Sequence, residues 1–490
     1  MVKLLWWPLA LVLFFAACRK PQEALVTANG LEFSSDTVYL DTVFSTIGSS
    51  TRVLKVYNRS DADVVVPRIA FGRGAGSYFR MNVNGIGGKE VLSTEILAGD
   101  SIYIFIEVTA DVMGAPELLY TDSLVFGLNN GKQQDVKLVT LAKDAYFHLP
   151  TTADTLGDFI LPYKTIANDT AWNNSKPHVV YGYIYVAPGA KLTIAPETQL
   201  HFHKGSGIIV GGSLHIDPDN AGNYDNPVVL QGDRLEPWYR EIPGQWGGLL
   251  GGVLLLGSSE NNLIQNVLIK NATIGIRADS NNTGTANVFL RNVRIYNSSR
   301  VGLYGGFAHL EAENVVIGNS GLYNFYALGG RYKFLHTTFA NYWSQSNRST
   351  AAVGLFNYFE DAEGQRRVRD LIDCYFGNCI VYGGLQSEIR IGEEANGQMN
   401  YLFNTALLRA VENPTDNSYD LQDANHFVGI RLNVDPRFKD VGANVYQLDT
   451  LSPATDQGNL SDGALVPLDI RGRLRSFNGL PDLGAYEREE

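Results

Sequence analysis

Three hexapeptides of one design recur in the middle of the chain: Asn266-Val-Leu-Ile-Lys-Asn271, Asn292-Val-Arg-Ile-Tyr-Asn297 and Asn314-Val-Val-Ile-Gly-Asn319. Their first asparagines stand 26 (292 − 266) and 22 (314 − 292) residues apart. That is too short for a strand, a full crossover helix and a second strand, but it is the length of one coil of a solenoid. Within each hexapeptide the branched residues alternate. Val267 and Ile269, Val293 and Ile295, and Val315 and Ile317 therefore point into one interior, while Leu268, Arg294 and Val316 point out. Short strands that pair with their copies one coil above and below make a right-handed parallel β-helix. The asparagine closing each run suits a corner, because Asn tolerates left-handed backbone, and stacked amides can form a ladder. A second apolar pair follows each corner: Ile274/Ile276, Val301/Leu303 and Leu322/Phe325.

Weaker copies follow at His336-Thr-Thr-Phe-Ala-Asn341 and Asp373-Cys-Tyr-Phe-Gly-Asn378, with a degenerate one at Asn404. The last two intervals, 37 (373 − 336) and 31 (404 − 373), are longer and imply insertions over 342–370 and 383–400, and a binding site is expected beside such insertions. Upstream, Leu192-Thr-Ile194, Leu200-His-Phe202, Ile208-Ile-Val210 and Leu214-His-Ile216 keep the same alternation, with Thr193, His201, His203 and His215 outward. The β-helix is thus expected over 150–440. Composition agrees with an all-β chain: 50 glycines, 11% aromatic and 18% charged residues, and no convincing helix longer than about ten residues.

Residues 31–145 read as a separate module. Thr51-Arg-Val-Leu-Lys-Val-Tyr57, Ser101-Ile-Tyr-Ile-Phe-Ile-Glu-Val108 and Ser123-Leu-Val-Phe126 alternate between turn-rich stretches, the cadence of a β-sandwich. Its length fits one immunoglobulin-like domain, although the cysteine pair and tryptophan of antibody domains are missing.

At the N-terminus, Lys3, an apolar run from Leu4 to Phe15 and then Ala16-Ala17-Cys18 resemble a bacterial lipoprotein signal. The resemblance implies removal of residues 1–17, diacylation of Cys18, a tether over 18–30, and a lipid-anchored protein of the outer membrane, with the cell surface as the expected face. Phe15 departs from the leucine usual three residues before the cysteine. The apolar run is about a dozen residues, against the ~20 needed to span a bilayer.

Cys374 and Cys379 are the other two cysteines. Their spacing permits a disulfide in a secreted chain, while Cys374 on an inward position also reads as a small core residue, the preferred reading. With no CxxC pair there is no cysteine-based zinc site. A net charge of −12 argues against nucleic acid. With 25 tyrosines it suits neutral glycans better than polyuronates, unless calcium bridges the latter.

The C-terminal run Asp435-Pro-Arg-Phe438, Tyr446-Gln-Leu448, Ser452-Pro-Ala-Thr-Asp-Gln-Gly458, Asp469-Ile-Arg-Gly472 and Pro481-Asp-Leu-Gly-Ala-Tyr-Glu487 resembles the closing segment of bacterial surface β-helix proteins of the pectin-lyase-like superfamily, of choice-of-anchor type. Asn226-Pro-Val-Val-Leu-Gln-Gly-Asp-Arg234 and Pro243-Gly-Gln-Trp-Gly247 extend the likeness over most of 150–490. The resemblance implies an architecture, with 441–490 as a cap folded over the last coil to cover unpaired strand edges. Arg471, Arg473 and Arg475 alternate on one face. They form an anion cradle or, the preferred reading, pair with Asp469, Asp482 or Glu487.

Hydrolases of that superfamily carry adjacent aspartates and a Gly-His-Gly, both missing here. Lyase sites leave no local signature. Lys270, Arg277, Asp279 and Arg294 lie on neighbouring coils, as charges on any solenoid face do. His201 and His203, with His215 a coil away, have metal-ligand spacing but no carboxylate nearby in sequence, so they read as solvated side chains. Aromatic residues in inserted loops are the candidate sugar platforms: Trp238, Tyr239 and Trp246, and the Tyr342–Trp343 pair. Trp246 reads equally as a staple onto the coil beneath. No catalytic residue, metal ligand or cofactor is assigned. The expectation is a non-catalytic surface lipoprotein whose β-helix presents a face to extracellular glycan or a partner protein. The alternative is a polysaccharide lyase, for which Ca2+ is the candidate ion, or a glycoside hydrolase.

Overall fold

The computed structural model describes residues 25–26, 30–111, 117–128, 131–280, 284–411, 419–475 and 479–488. The signal segment and Cys18 lie outside them. The chain divides into two units, Met1–Ala145 and Tyr146–Glu490.

The first unit is a β-sandwich of a six-stranded and a five-stranded sheet. Ser101–Val108 shows why: Ile102, Ile104, Ile106 and Val108 are buried and the residues between them are not. Thr37–Phe44 runs parallel to Gln133–Lys143, with a register break between Val139 and Leu141. Opposite that break Asp41 takes left-handed backbone and pairs with Arg52.

The second unit is a parallel β-helix. A 19-stranded sheet and a 10-stranded sheet wind as coils with three faces, because the larger sheet bends at a corner in every coil. Asn262–Lys270 shows the geometry. Residues 262–265 pair on face A, Asn266 takes φ +49°, and residues 267–270 pair on face B. After a second left-handed corner at Asn271 (φ +63°), Ile274–Asp279 forms face C. The spacing of the two asparagines is therefore the length of the face B strand, with a left-handed corner at each end. Such backbone costs an ordinary side chain roughly 1–2 kcal/mol, and Asn reduces that cost by bonding locally.

The ladder differs from expectation in which asparagines make it. The opening ones stack: Asn314 Nδ2 donates to Asn292 Oδ1 at 3.1 Å and Asn292 Nδ2 to Asn266 Oδ1 at 3.0 Å. Asn266 Nδ2 completes the column on Asp217 Oδ2 at 2.5 Å. The closing Asn297 and Asn319 are bridged instead by Asn444. In the weak copies the corner shifts. His336, Asn378 and Thr405 hold the A/B corner, at φ +49°, +53° and +56°. Asn378 thus opens a face B strand instead of closing one, and Thr405 takes the role expected of Asn404, which pairs with Gly377 on face A.

Inward positions form one continuous core, including the expected Val267, Ile269, Val293, Ile295, Val315 and Ile317. Identical rings stack from coil to coil, as in Phe376 on Phe403 at 4.3 Å and 7°. Cys374 and Cys379 are buried free thiols in this core, their thiols pushed up by burial.

The C-terminal segment does not simply close the last coil; it lies along face B. Tyr446, Ile470, Ala485 and Tyr486 pack on Tyr296, Val316 and Ala340. Further along, Leu448, Ala454 and Leu483 pack on Ile380, Tyr382 and Leu407. The reason is chemical: many outward side chains of face B are apolar and gain from leaving water. Gly318 makes room, since a Cβ there would stand 2.5 Å from the Tyr446 ring. Arg475 is buried against Glu487 at 3.3 Å and donates to Asn314 Oδ1 at 2.7 Å, so the strap ends on the ladder. Arg471 lies over Tyr224. Arg294, expected outward, is buried beneath the same ring, 3.9 Å from its centre.

Candidate functional site

The strap leaves face C uncovered, and the outward side chains of this face form an aromatic strip. Strand register aligns Arg277, Tyr304, Tyr326, Gly354 and Arg390 across successive coils. The rings of Tyr304 and Tyr326 stack at 5.3 Å and 11°, and Tyr326 stacks on Phe356 at 5.1 Å and 27°. Tyr323 meets Phe356 edge-on at 6.3 Å. Glycines keep the strip flat: a Cβ on Gly354 would stand 2.6 Å from the Tyr323 ring, and one on Gly392 2.3 Å from Phe356.

A cleft of about 410 Å³ opens on this strip, bordered by Leu249, Arg300 and Leu322 on one side and Phe359 on the other. Phe359 is carried by the hairpin Tyr358–Glu360 and Arg366–Val368. Pairs Arg367–Asp361 (2.6 Å) and Arg366–Glu394 (3.2 Å) hold that hairpin. The 342–370 insertion is therefore two features, a turn at the B/C corner and this hairpin, and the hairpin borders the cleft.

The cleft is cationic and aromatic. Arg277 pairs with Asp279 at 2.5 Å and lies 5.3 Å over the Tyr304 ring. Arg300 is exposed and makes no ion pair among the described residues. No carboxylate lines the cleft among the described residues. Burial pushes the phenols of Tyr304, Tyr323 and Tyr326 above their ordinary value. They stay protonated at neutral pH, as O–H donors.

The residues expected from sequence are dispersed. Trp246 is 0% exposed, stacked on Phe202 at 4.3 Å, with its indole N–H on Lys270 O. It is a staple of the core and no sugar platform. Trp238 is 54% exposed, and Tyr239 lies beneath Arg234 at 4.3 Å. Tyr342 and Trp343 line a different cleft at the B/C corner. Lys270 and Arg294 stand on face B and Arg277 and Asp279 on face C, so the quartet does not converge. His201, buried, His203, paired with Asp233 at 2.8 Å, and His215, on Asn261 O, have separate partners. Among the described residues no three His, Cys, Asp or Glu side chains are grouped to hold a metal ion. No described helix is long and apolar enough to cross a membrane.

Sequence reasoning missed Tyr304, Tyr323, Tyr326, Phe356, Phe359 and Arg300. A signal was present: Leu303-Tyr304 and Phe325-Tyr326 put an outward tyrosine after an inward apolar residue one coil, 22 (326 − 304) residues, apart.

No protein-family model matches the chain, and no curated protein matches it. Among solved structures, a family 123 glycoside hydrolase from Clostridium perfringens matches at 8% identity, over 25% of this chain and 31% of that one, with a TM-score of 0.17. The Salmonella enterica SafA pilin–SafB chaperone complex matches at 11%, over 25% and 57%, with a TM-score of 0.17. The catalytic domain of a GH87 alpha-1,3-glucanase matches at 10%, over 85% and 91%, with a TM-score of 0.21. The chain thus spans under two thirds of the first two. Likenesses this weak carry no argument, and the fold rests on the strand pairing itself.

Proposed function

We propose that this is a non-catalytic lipoprotein, anchored through Cys18 to the outer membrane and facing the cell surface, whose β-helix binds extracellular glycan along face C. The observation that carries the reading is the strip of Tyr304, Tyr326 and Phe356 beside Arg277 and Arg300. Rings stacked on one another from coil to coil present their apolar edges and phenol O–H groups along the cleft as contacts for a glycan, and guanidinium groups hold anionic or hydroxyl substituents. Whole-chain charge favours neutral glycans, but the cleft lining is locally cationic, so acidic glycans are its expected ligands. The sandwich, between the lipid and the β-helix in chain order, serves as a spacer.

The lyase or hydrolase alternative finds less support in the cleft. Its lining lacks the paired carboxylates a hydrolase uses, and its phenols are poor bases.

The test is isothermal titration of residues 19–490 with polygalacturonate, alginate and heparan sulfate oligosaccharides, with mass spectrometry of the mixtures after incubation. Saturable binding that Tyr326→Ala weakens, with the sugars intact, is the expected result. Absence of binding, or binding indifferent to Tyr326→Ala, overturns the face C reading. Unsaturated or hydrolysed fragments overturn the non-catalytic one.

A further inference from the structure

We infer that the cleft between the turn carrying Trp343 and the strap turn at 441–444 is a second sugar site, for a neutral pyranose. The cleft holds about 510 Å³ and is lined by Tyr342, Trp343, Asn297, Asn319, Asn444 and Glu241 among others.

Its amides are fixed but not exhausted. Asn319 Nδ2 donates to Asn444 Oδ1 at 2.9 Å, Asn444 Nδ2 reaches Asn297 Oδ1 at 3.4 Å, and Asn319 Oδ1 accepts from the Tyr342 backbone N–H at 3.0 Å. Each amide nitrogen carries two N–H groups. One each on Asn319 and Asn444, and both on Asn297, are left for a ligand. The left-handed corners at Asn297 (φ +56°), Asn319 (φ +53°) and Asn444 (φ +57°) hold the three side chains in place without a ligand. Tyr446 adds a further tie on Asn444 Oδ1 at 3.1 Å.

Trp343 supplies the flat wall. Its indole N–H is taken by Ser346 Oγ at 2.9 Å. Its ring edge lies against Gly321, where a Cβ would stand 3.2 Å from it. The ring is half-buried, oriented and available for the C–H face of a sugar. The turn itself is tied down by Arg348, whose guanidinium grips the Glu388 carboxylate.

Charge separates this site from face C. Glu241 is the one charged residue of the lining among the described residues, its Oε1 3.4 Å from Lys270 Nζ and 3.6 Å from Arg240 Nε. Among those residues the lining itself offers no cation to an anionic sugar, and the carboxylate accepts bonds from a vicinal diol. A neutral polyol satisfies the open N–H groups and the carboxylate together. Asn297 and Asn319 stand three residues before Arg300 and Leu322, which border the face C cleft. The two sites therefore flank one edge of the β-helix, cationic on one side and neutral-binding on the other.

The test uses residues 19–490 with cellohexaose, xylohexaose, laminarihexaose and mannohexaose as probes, read by saturation-transfer NMR and titration calorimetry. At least one probe is expected to bind saturably, Trp343→Ala to weaken it about tenfold or more, and Trp343→Phe to retain it within about threefold. Tyr326→Ala, on face C, leaves it unchanged. Thermal melts show whether each variant is folded. No binding by any of the four, or binding that survives Trp343→Ala or falls with Tyr326→Ala, overturns the inference. Loss of acidic-glycan binding concerns face C alone, so the two proposals fail separately.

Discussion

Arg348→Ala is the perturbation whose consequence follows most directly from the structure. The side chains of Arg348 and Glu388 are 4% and 0% exposed. The guanidinium donates to both carboxylate oxygens, at 2.6 and 2.8 Å, and to the carbonyls of Asn341 and Thr350 at 2.8 and 2.6 Å. The carboxylate also accepts the backbone N–H groups of Ala352 and Leu385, both at 2.8 Å. Removing the arginine leaves a buried carboxylate with no cation, which costs about 3–5 kcal/mol. Replacing both residues, as in Arg348→Ala with Glu388→Leu, removes the stranded charge and leaves only the two N–H groups and the two carbonyls without these partners, at about 1–3 kcal/mol for each that stays buried. The double variant is therefore less damaged than the sum of the single ones, by at least about 1 kcal/mol. Solenoids unfold coil by coil, so a local probe is required. Hydrogen exchange at the Ala352 and Leu385 amides is that probe, and 3–5 kcal/mol corresponds to exchange faster by about 10² to 10⁴. Unchanged exchange in Arg348→Ala, or strict additivity in the double variant, refutes the reasoning.

Three further outcomes are expected. His178 Nε2 donates to Asn173 O at 2.9 Å, leaving Nδ1 to accept from His148 Nε2 at 2.9 Å. Burial, then His178, lower His148 to about 3, and burial also lowers His178. The unfolded chain takes up protons below pH 6.5 that the folded chain refuses, so stability is full above 6.5 and falls on acidification, by about 2 kcal/mol from His148 at pH 5. The urea midpoint should drop less between pH 7 and 5 in His148→Gln than in the parent, and equal drops would contradict this account. Gly318→Val puts a side chain into the Tyr446 ring. It should loosen the strap at a cost of about 1–3 kcal/mol, seen as faster proteolytic nicking between residues 440 and 460. Tyr304→Ala and Tyr326→Ala should each weaken acidic-glycan binding about tenfold, or about 1.4 kcal/mol, with unchanged melting; calorimetry decides it.

The repeat was legible because its causes are local. Val267 and Ile269 alternate because a strand does, and Asn266 and Asn271 punctuate because a left-handed corner suits asparagine. Any coil carries this information within six residues, so the β-helix and the alternating strands of the sandwich follow from the chain read alone. Which side of the solenoid is covered and which is free does not. Leu268, Val316 and Ile380 are outward on face B, as Tyr304 and Tyr326 are on face C. Only the pairing of residues more than a hundred positions apart, such as Tyr446 with Gly318 and Arg475 with Asn314, buries the first set and leaves the second open. The face C cleft depends likewise on inter-coil register, which sets Arg277 beside Tyr304 and Tyr304 beside Tyr326. Alternation says that a side chain points outward; what it then meets is set by insertions of variable length and by a strap from the far end of the chain, and no local pattern encodes those distances.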